Sequence, residues 1–184
     1  AAEKEPSPNQ RRKLFAKVDN RSVSQSPLFS SWAELWEAIF QVIGQEKHIL
    51  ILDELPHAAD GDPAMLSSLQ HAWDQHFQNS QLVLVVCGSQ VQSMETLQHR
   101  QSPLFGRFTG QWFLQPLPFY TLKIFFPTWS AAERVAVRSI VGGIPAYIQW
   151  LDPNRSLVEN IQKQILFPGS MFLSEPTLLL YDEV

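Results

Sequence analysis

Cysteine is almost missing from this 184-residue sequence: Cys87 stands by itself, so no internal disulfide can form and a reducing, cytoplasmic setting is expected. Charge is sparse as well. Charged residues make up 17% and the formal net charge is −4, which argues against a general nucleic-acid surface. The one basic cluster, Arg11-Arg12-Lys13, reads as a solvated helix end. No run approaches the roughly 18 apolar residues of a membrane span, and no N-terminal signal pattern is visible. Internal repeats and low-complexity segments are missing too. What remains is material for a core: 45% hydrophobic residues, with six tryptophans and twelve phenylalanines, in a length that suits one domain or slightly more.

The chain is organised around His48-Ile49-Leu50-Ile51-Leu52-Asp53-Glu54. A short apolar run bounded by polar residues predicts a strand buried on both faces, as in a parallel sheet covered by helices. Such a strand delivers the residues after it to the carboxyl edge of the sheet, where open α/β folds bind ligands. Two carboxylates placed there are costly unless they hold a metal, a proton or a polar partner. The plainer reading makes Asp53 and Glu54 the first solvated residues of a loop.

Around this strand the patterning alternates. A short helix is expected from about Pro8 to Val18, then a Ser/Asn-rich connector. Ser31 with Glu34 three residues on is a capping-box signature, and Trp32, Leu35, Trp36, Ile39, Phe40 and Ile43 form one helical stripe ended by Gly44. Asp60-Gly61 signals a turn, and Asp62-Pro63 an N-cap with proline at the first helical position. Met65, Leu66, Leu69, Trp73 and Phe77 then mark a second amphipathic helix. His71 and His76 lie five apart and do not share a helical face, so they do not read as a metal pair. Leu82 to Cys87 is a second apolar run, which completes a βαβ pattern, and Ser89 falls at the same sheet edge as the two acids. Cys87 itself reads as a small buried hydrophobe.

Gln111-Trp112-Phe113-Leu114 predicts a third strand, closed by Pro116 and Pro118. Beyond it the signals are helical, with capping boxes at Ser130/Glu133 and Ser156/Glu159 and a break at Gly142-Gly143-Ile144-Pro145. The expected organisation is therefore an α/β core over residues 1–117 and a helical subdomain over 118–184.

Four segments carry a resemblance: Leu50 to Pro56, Val86-Cys87-Gly88-Ser89, Ser102 to Gly110, and Gly142 to Tyr147. In this order they resemble the prokaryotic (archaeal and bacterial) P-loop ATPase family of the AAA+/STAND group, many members of which carry a winged-helix region after the ATPase. The resemblance implies a P-loop NTPase sheet with a helical lid, and ATP and Mg²⁺ as ligands. Asp53 is similar to the Walker B acid that holds Mg²⁺, and Glu54 to the carboxylate that polarises the attacking water. Ser89 resembles a sensor at the end of the neighbouring strand. Arg107 resembles an arginine finger, and Pro145 a residue packed near the base. The plainer readings make Arg107 a surface arginine and Pro145 a helix breaker.

One part of that pattern is missing. A phosphate cradle needs Gly-x-x-x-x-Gly-Lys-Ser/Thr, and none of the eight glycines is followed by Lys-Ser or Lys-Thr. The resemblance therefore implies the family's ATPase from just after its second strand, ending before a winged helix, with an incomplete sheet and weak or no nucleotide affinity unless the loop is supplied. Two functions stay open: the core of a nucleotide-switched ATPase, or a non-catalytic protein-interaction module derived from one, with a protein partner or self-association. A metal-dependent nuclease using Asp53 and Glu54 is disfavoured, because no Glu-x-Lys follows on a neighbouring strand.

Overall fold

The structure, a computed structural model, describes residues 5–174. It divides into two compact units, Ala1–Gln111 and Trp112–Val184.

In the first unit α1 (Ser7–Val18), α2 (Trp32–Ile43), α3 (Leu55–Gly61), α4 (Ala64–Gln75) and α5 (Val91–Thr96) surround two strands, β1 (His48–Leu52) and β2 (Leu82–Val86). The strands pair in parallel, His48 against Leu82 through Leu52 against Val86, with α3 and α4 as the crossover. The core forms where the stripe of α2 (Trp32, Leu35, Trp36, Ile39, Ile43) meets Met65, Leu69 and Ala72 of α4 and Leu50, Leu52 and Leu82 of the strands. Gly44 ends α2 at φ 58°, a conformation a side chain would disfavour.

Three expectations are corrected here. First, the sheet is covered on one face only: Ile49, Ile51, Val83 and Val85 lie between 39 and 69% exposed. An apolar run told of burial on both faces, but α2 and α4 supply cover for one, and no described element covers the other. Second, the predicted third strand does not form, and Trp112, Phe113 and Leu114 are 85, 63 and 90% exposed. A strand needs a neighbour to take its N–H and C=O groups, and residues 111–118 have none in the two-stranded sheet. Third, Asp60-Gly61 does not open a turn, because α3 runs through it.

The basic cluster is also more than a solvated helix end. Arg11 is buried: its Nε donates to the Phe29 carbonyl (3.1 Å) and its Nη2 to that of Ser30 (3.3 Å), while Nη1 lies 3.7 Å from Asp62 Oδ2. Trp32 Nε1 donates to the same Asp62 oxygen at 3.0 Å, so one carboxylate ties α1 and α2 to the start of α4. Asp62 Oδ1 also accepts from Ala64 N–H at 3.2 Å, but from one residue ahead of the expected place, because Pro63 and not Asp62 is the N-cap of α4. Replacing Arg11 by Met leaves two carbonyls without this donor and Asp62 without its cation. A loss of about 2–3 kcal/mol in urea unfolding is expected, the scale for removing one member of a buried charged network.

The second unit packs α6 (Leu122–Phe125), α7 (Ala131–Val141), α8 (Pro145–Gln149) and α9 (Leu157–Asn160) around Leu122, Phe126, Trp129, Val137, Val141 and Ile148. The capping boxes at Ser130/Glu133 and Ser156/Glu159 both close reciprocally. The one at Ser31 does not: Ser31 Oγ accepts from Glu34 N–H, but the Glu34 carboxylate takes Ser30 N–H and Oγ–H, both at 2.7 Å. Among the described residues no helix is long and apolar enough to cross a membrane.

Candidate functional site

β1 releases the chain at Leu52, and the ladder continues one step further, with Cys87 N–H donating to the Leu52 carbonyl at 3.0 Å. The next two residues are exposed Asp53 and half-buried Glu54. Glu54 takes φ 55°, ψ 44°, the left-handed region, and is the hinge on which strand becomes helix. That conformation costs a side-chain-bearing residue about 1–2 kcal/mol, and such residues cluster at functional sites. Leu55 N–H then donates to the Cys87 carbonyl (3.1 Å), pinning the start of α3 to the end of β2.

This sharp turn brings the two strand ends together. Ser89 N–H donates to both oxygens of Glu54, at 3.1 Å and 3.3 Å. Cys87 Sγ approaches Asp53 Oδ1 at 3.4 Å. Burial pushes the Cys87 thiol up, and the Asp53 carboxylate, through that contact and its charge, adds to the rise. Gly88 packs closely here: a Cβ there would stand 2.9 Å from Met94 Sδ and 3.1 Å from Pro56 Cδ, so the Met94 side chain would have to move aside. A cavity of about 600 Å³ opens beside Asp53, lined also by Leu52, Leu55, Trp32, Met65 and Lys17.

Asp53, Glu54 and Ser89 are thus gathered at one edge of the sheet, although Ser89 engages Glu54 through its backbone and not its hydroxyl. Arg107 is engaged elsewhere. Its Nε and Nη2 grip the Asp74 carboxylate at 2.8 Å and 2.6 Å, and its Nη1 donates to the carbonyls of Pro103 and Phe105. Pro145 opens α8 in the second unit. Two neighbours of the acids escaped sequence reasoning. Cys87 was assigned to packing alone. His57, whose Nε2 lies 3.8 Å from Glu54 Oε2, sits on α3, a helix whose only sequence signal is the turn at Asp60-Gly61.

The Arg107 hydrogen bonds hold the Asp74 carboxyl below the usual carboxylate range. A folded value below the unfolded one means the pair's contribution is complete above about pH 4, the unfolded aspartate value, and is lost as pH falls through the lowered folded value. The melting-temperature gap between the parent and Asp74→Asn is therefore expected to shrink on acidification below about pH 4, and thermal melts across that range check it.

Among the described residues no cluster of three or more His, Cys, Asp or Glu side chains could by itself enclose a metal ion. Mg²⁺ does not require one, since it binds through one or two carboxylates with waters and substrate phosphates completing its octahedron. An exposed Asp53 at a sheet edge fits that mode.

A parallel β1-β2 pair with helices on the crossover, and acids at its carboxyl end, fits an α/β ATPase-like fold. The chain belongs to the ATPase domain family described as predominantly from Archaea, whose pattern matches residues 4–151. An uncharacterized protein of Methanocaldococcus jannaschii is 37% identical over 117 residues, which is 63% of this chain and 26% of that protein. The chain thus spans about a quarter of the length of that relative.

Proposed function

We propose that this chain is the Walker B half of an AAA+/STAND-type ATPase that uses ATP turnover as a conformational switch, its phosphate-binding loop lying outside these 184 residues. The observation that carries the reading is the turn at Glu54, which sets two adjacent carboxylates at a strand end and aims the second at the end of the neighbouring strand. Bound Mg²⁺ would neutralise triphosphate charge and orient the γ-phosphate. Asp53, exposed at the edge, is the residue to hold it. Glu54 is the group to take a proton from the attacking water, and Ser89 N–H fixes where that carboxylate can reach. Arg107 can serve as a finger only after leaving Asp74, and Pro145 opens α8 of the second unit. A reducing, cytoplasmic location suits the unpaired Cys87.

The uncovered apolar face of β1-β2 and the exposed Trp112-Phe113-Leu114 segment support an incomplete sheet, one that a further strand and helix would cover. The alternative, an interaction module that kept the scaffold, draws support from Arg107, whose guanidinium is spent on Asp74. Titration of labelled ATP and Mg²⁺ separates the two. The ATPase reading expects binding by the chain extended with its upstream coding sequence and none by the 184 residues alone. Binding by neither form favours the interaction module, and binding by the short form contradicts the requirement for a separate loop.

A further inference from the structure

His57 enters none of the roles above, yet it faces the one carboxylate on which the chemistry depends. The left-handed turn at Glu54 starts α3, and His57 follows one turn along it, with its N–H bonded to the Glu54 carbonyl at 3.1 Å. Its imidazole Nε2 comes within 3.8 Å of Glu54 Oε2, and both side chains are only partly exposed, at 30% and 24%. Ser89 N–H, from the end of β2, takes both oxygens of the same carboxylate. Three of the groups that define this corner come from separate stretches of chain: the end of β1, the first turn of α3 and the end of β2.

The geometry points to His57 as a positioning residue for Glu54. It closes, with Ser89 N–H, a two-point clamp that keeps the carboxylate from swinging out to solvent. The consequence for function rests on the ATPase reading, because a clamped Glu54 matters to turnover only if it orients water. The clamp itself does not. A carboxylate held by a single N–H keeps some rotation about its last two torsions. A second group at ion-pair distance from Oε2 restricts that rotation, and no hydrogen bond of the His57 side chain to another group is seen among the described residues.

The test reads the clamp without nucleotide. In ¹⁵N-labelled full chain, the Ser89 amide reports the Glu54 bond through its proton shift and hydrogen exchange. Glu54→Gln removes the charged acceptor, so Ser89 exchange is expected to quicken about tenfold or more with an upfield shift. His57→Ala is expected to quicken it about threefold in the same direction, the scale of one modest polar contact. His57→Gln, whose amide can donate to Oε2, is expected to return it to within about twofold of the parent. Melting temperatures confirm that each variant folds. An unchanged Ser89 amide in His57→Ala, with the Glu54→Gln response intact, overturns the assignment to His57. No response to Glu54→Gln overturns the clamp altogether. In the extended protein, His57→Ala should lower kcat with KM unchanged, and His57→Gln should restore it. The expected amide pattern without any ATP turnover would uphold the clamp and defeat the ATPase reading, so the two fail separately.

Discussion

In the chain extended to include its phosphate loop, Glu54→Gln is expected to lower ATP turnover by about 10²–10⁴ while leaving ATP affinity within a few-fold. That range is what a positioned general base contributes. The substitution keeps the size of the side chain, and its amide oxygen can still accept a weaker, uncharged bond from Ser89 N–H, so the turn and the strand ends stay in place. What it removes is the negative charge that draws a proton from water. Asp53→Asn should behave differently: if Asp53 holds Mg²⁺, the loss falls on both Mg²⁺ dependence and turnover. Single-turnover hydrolysis beside equilibrium ATP titration separates the effects. Equal loss of binding in both variants would mean that neither acid has the role given to it.

A large structural effect is expected in the second unit, at Asn160, which is fully buried. Its Oδ1 accepts from Asp152 N–H at 2.7 Å, and its Nδ2 donates to the carbonyls of Asp152 (2.9 Å) and Ser156 (3.1 Å). One side chain thereby organises the bend that leads into α9. Asn160→Leu has nearly the right volume but leaves Asp152 N–H without its acceptor, while the carbonyls of Asp152 and Ser156 each lose one donor and keep the N–H of Arg155 and of residue 160. One unpaired N–H costs about 1–3 kcal/mol and the two lost carbonyl bonds add to it, so a total of about 2–3 kcal/mol is expected. Chemical denaturation followed by tryptophan fluorescence should show it, since Trp129 lies in the same core and donates to the neighbouring Arg155 carbonyl at 3.1 Å. A loss below about 1 kcal/mol would mean that water reaches these groups.

Local chemistry in this chain was legible, whereas pairing across distance was less so. Hydrophobic spacing located α2, β1, α4 and β2, because the period of apolar residues follows directly from helix and strand geometry. Capping pairs located the starts of α7 and α9, since donor and acceptor lie three residues apart. Burial of the sheet was misjudged because an apolar strand says what would cover it, not whether the cover is within the same residues. Trp112-Phe113-Leu114 failed as a strand for the same reason. At the site, Asp53, Glu54 and Ser89 were legible as a strand-end set. The left-handed turn at Glu54 was not, since no glycine or asparagine marks it. Arg107 shows the limit from the other side: sequence order suggested a finger, while a bidentate partner 33 residues earlier, Asp74, holds it at rest.

Paramagnetic broadening by Mn²⁺-ATP, read on the amides of the extended and labelled protein, tests the central claim most directly. If Asp53 and Glu54 handle a metal-bound triphosphate, the amides of Asp53, Glu54 and Ser89 broaden first. Those of His48 and Leu82, about 13 Å away at the far ends of the same strands, broaden last. Broadening that begins at His48 and Leu82, or that spares the strand ends at saturating nucleotide, would contradict it.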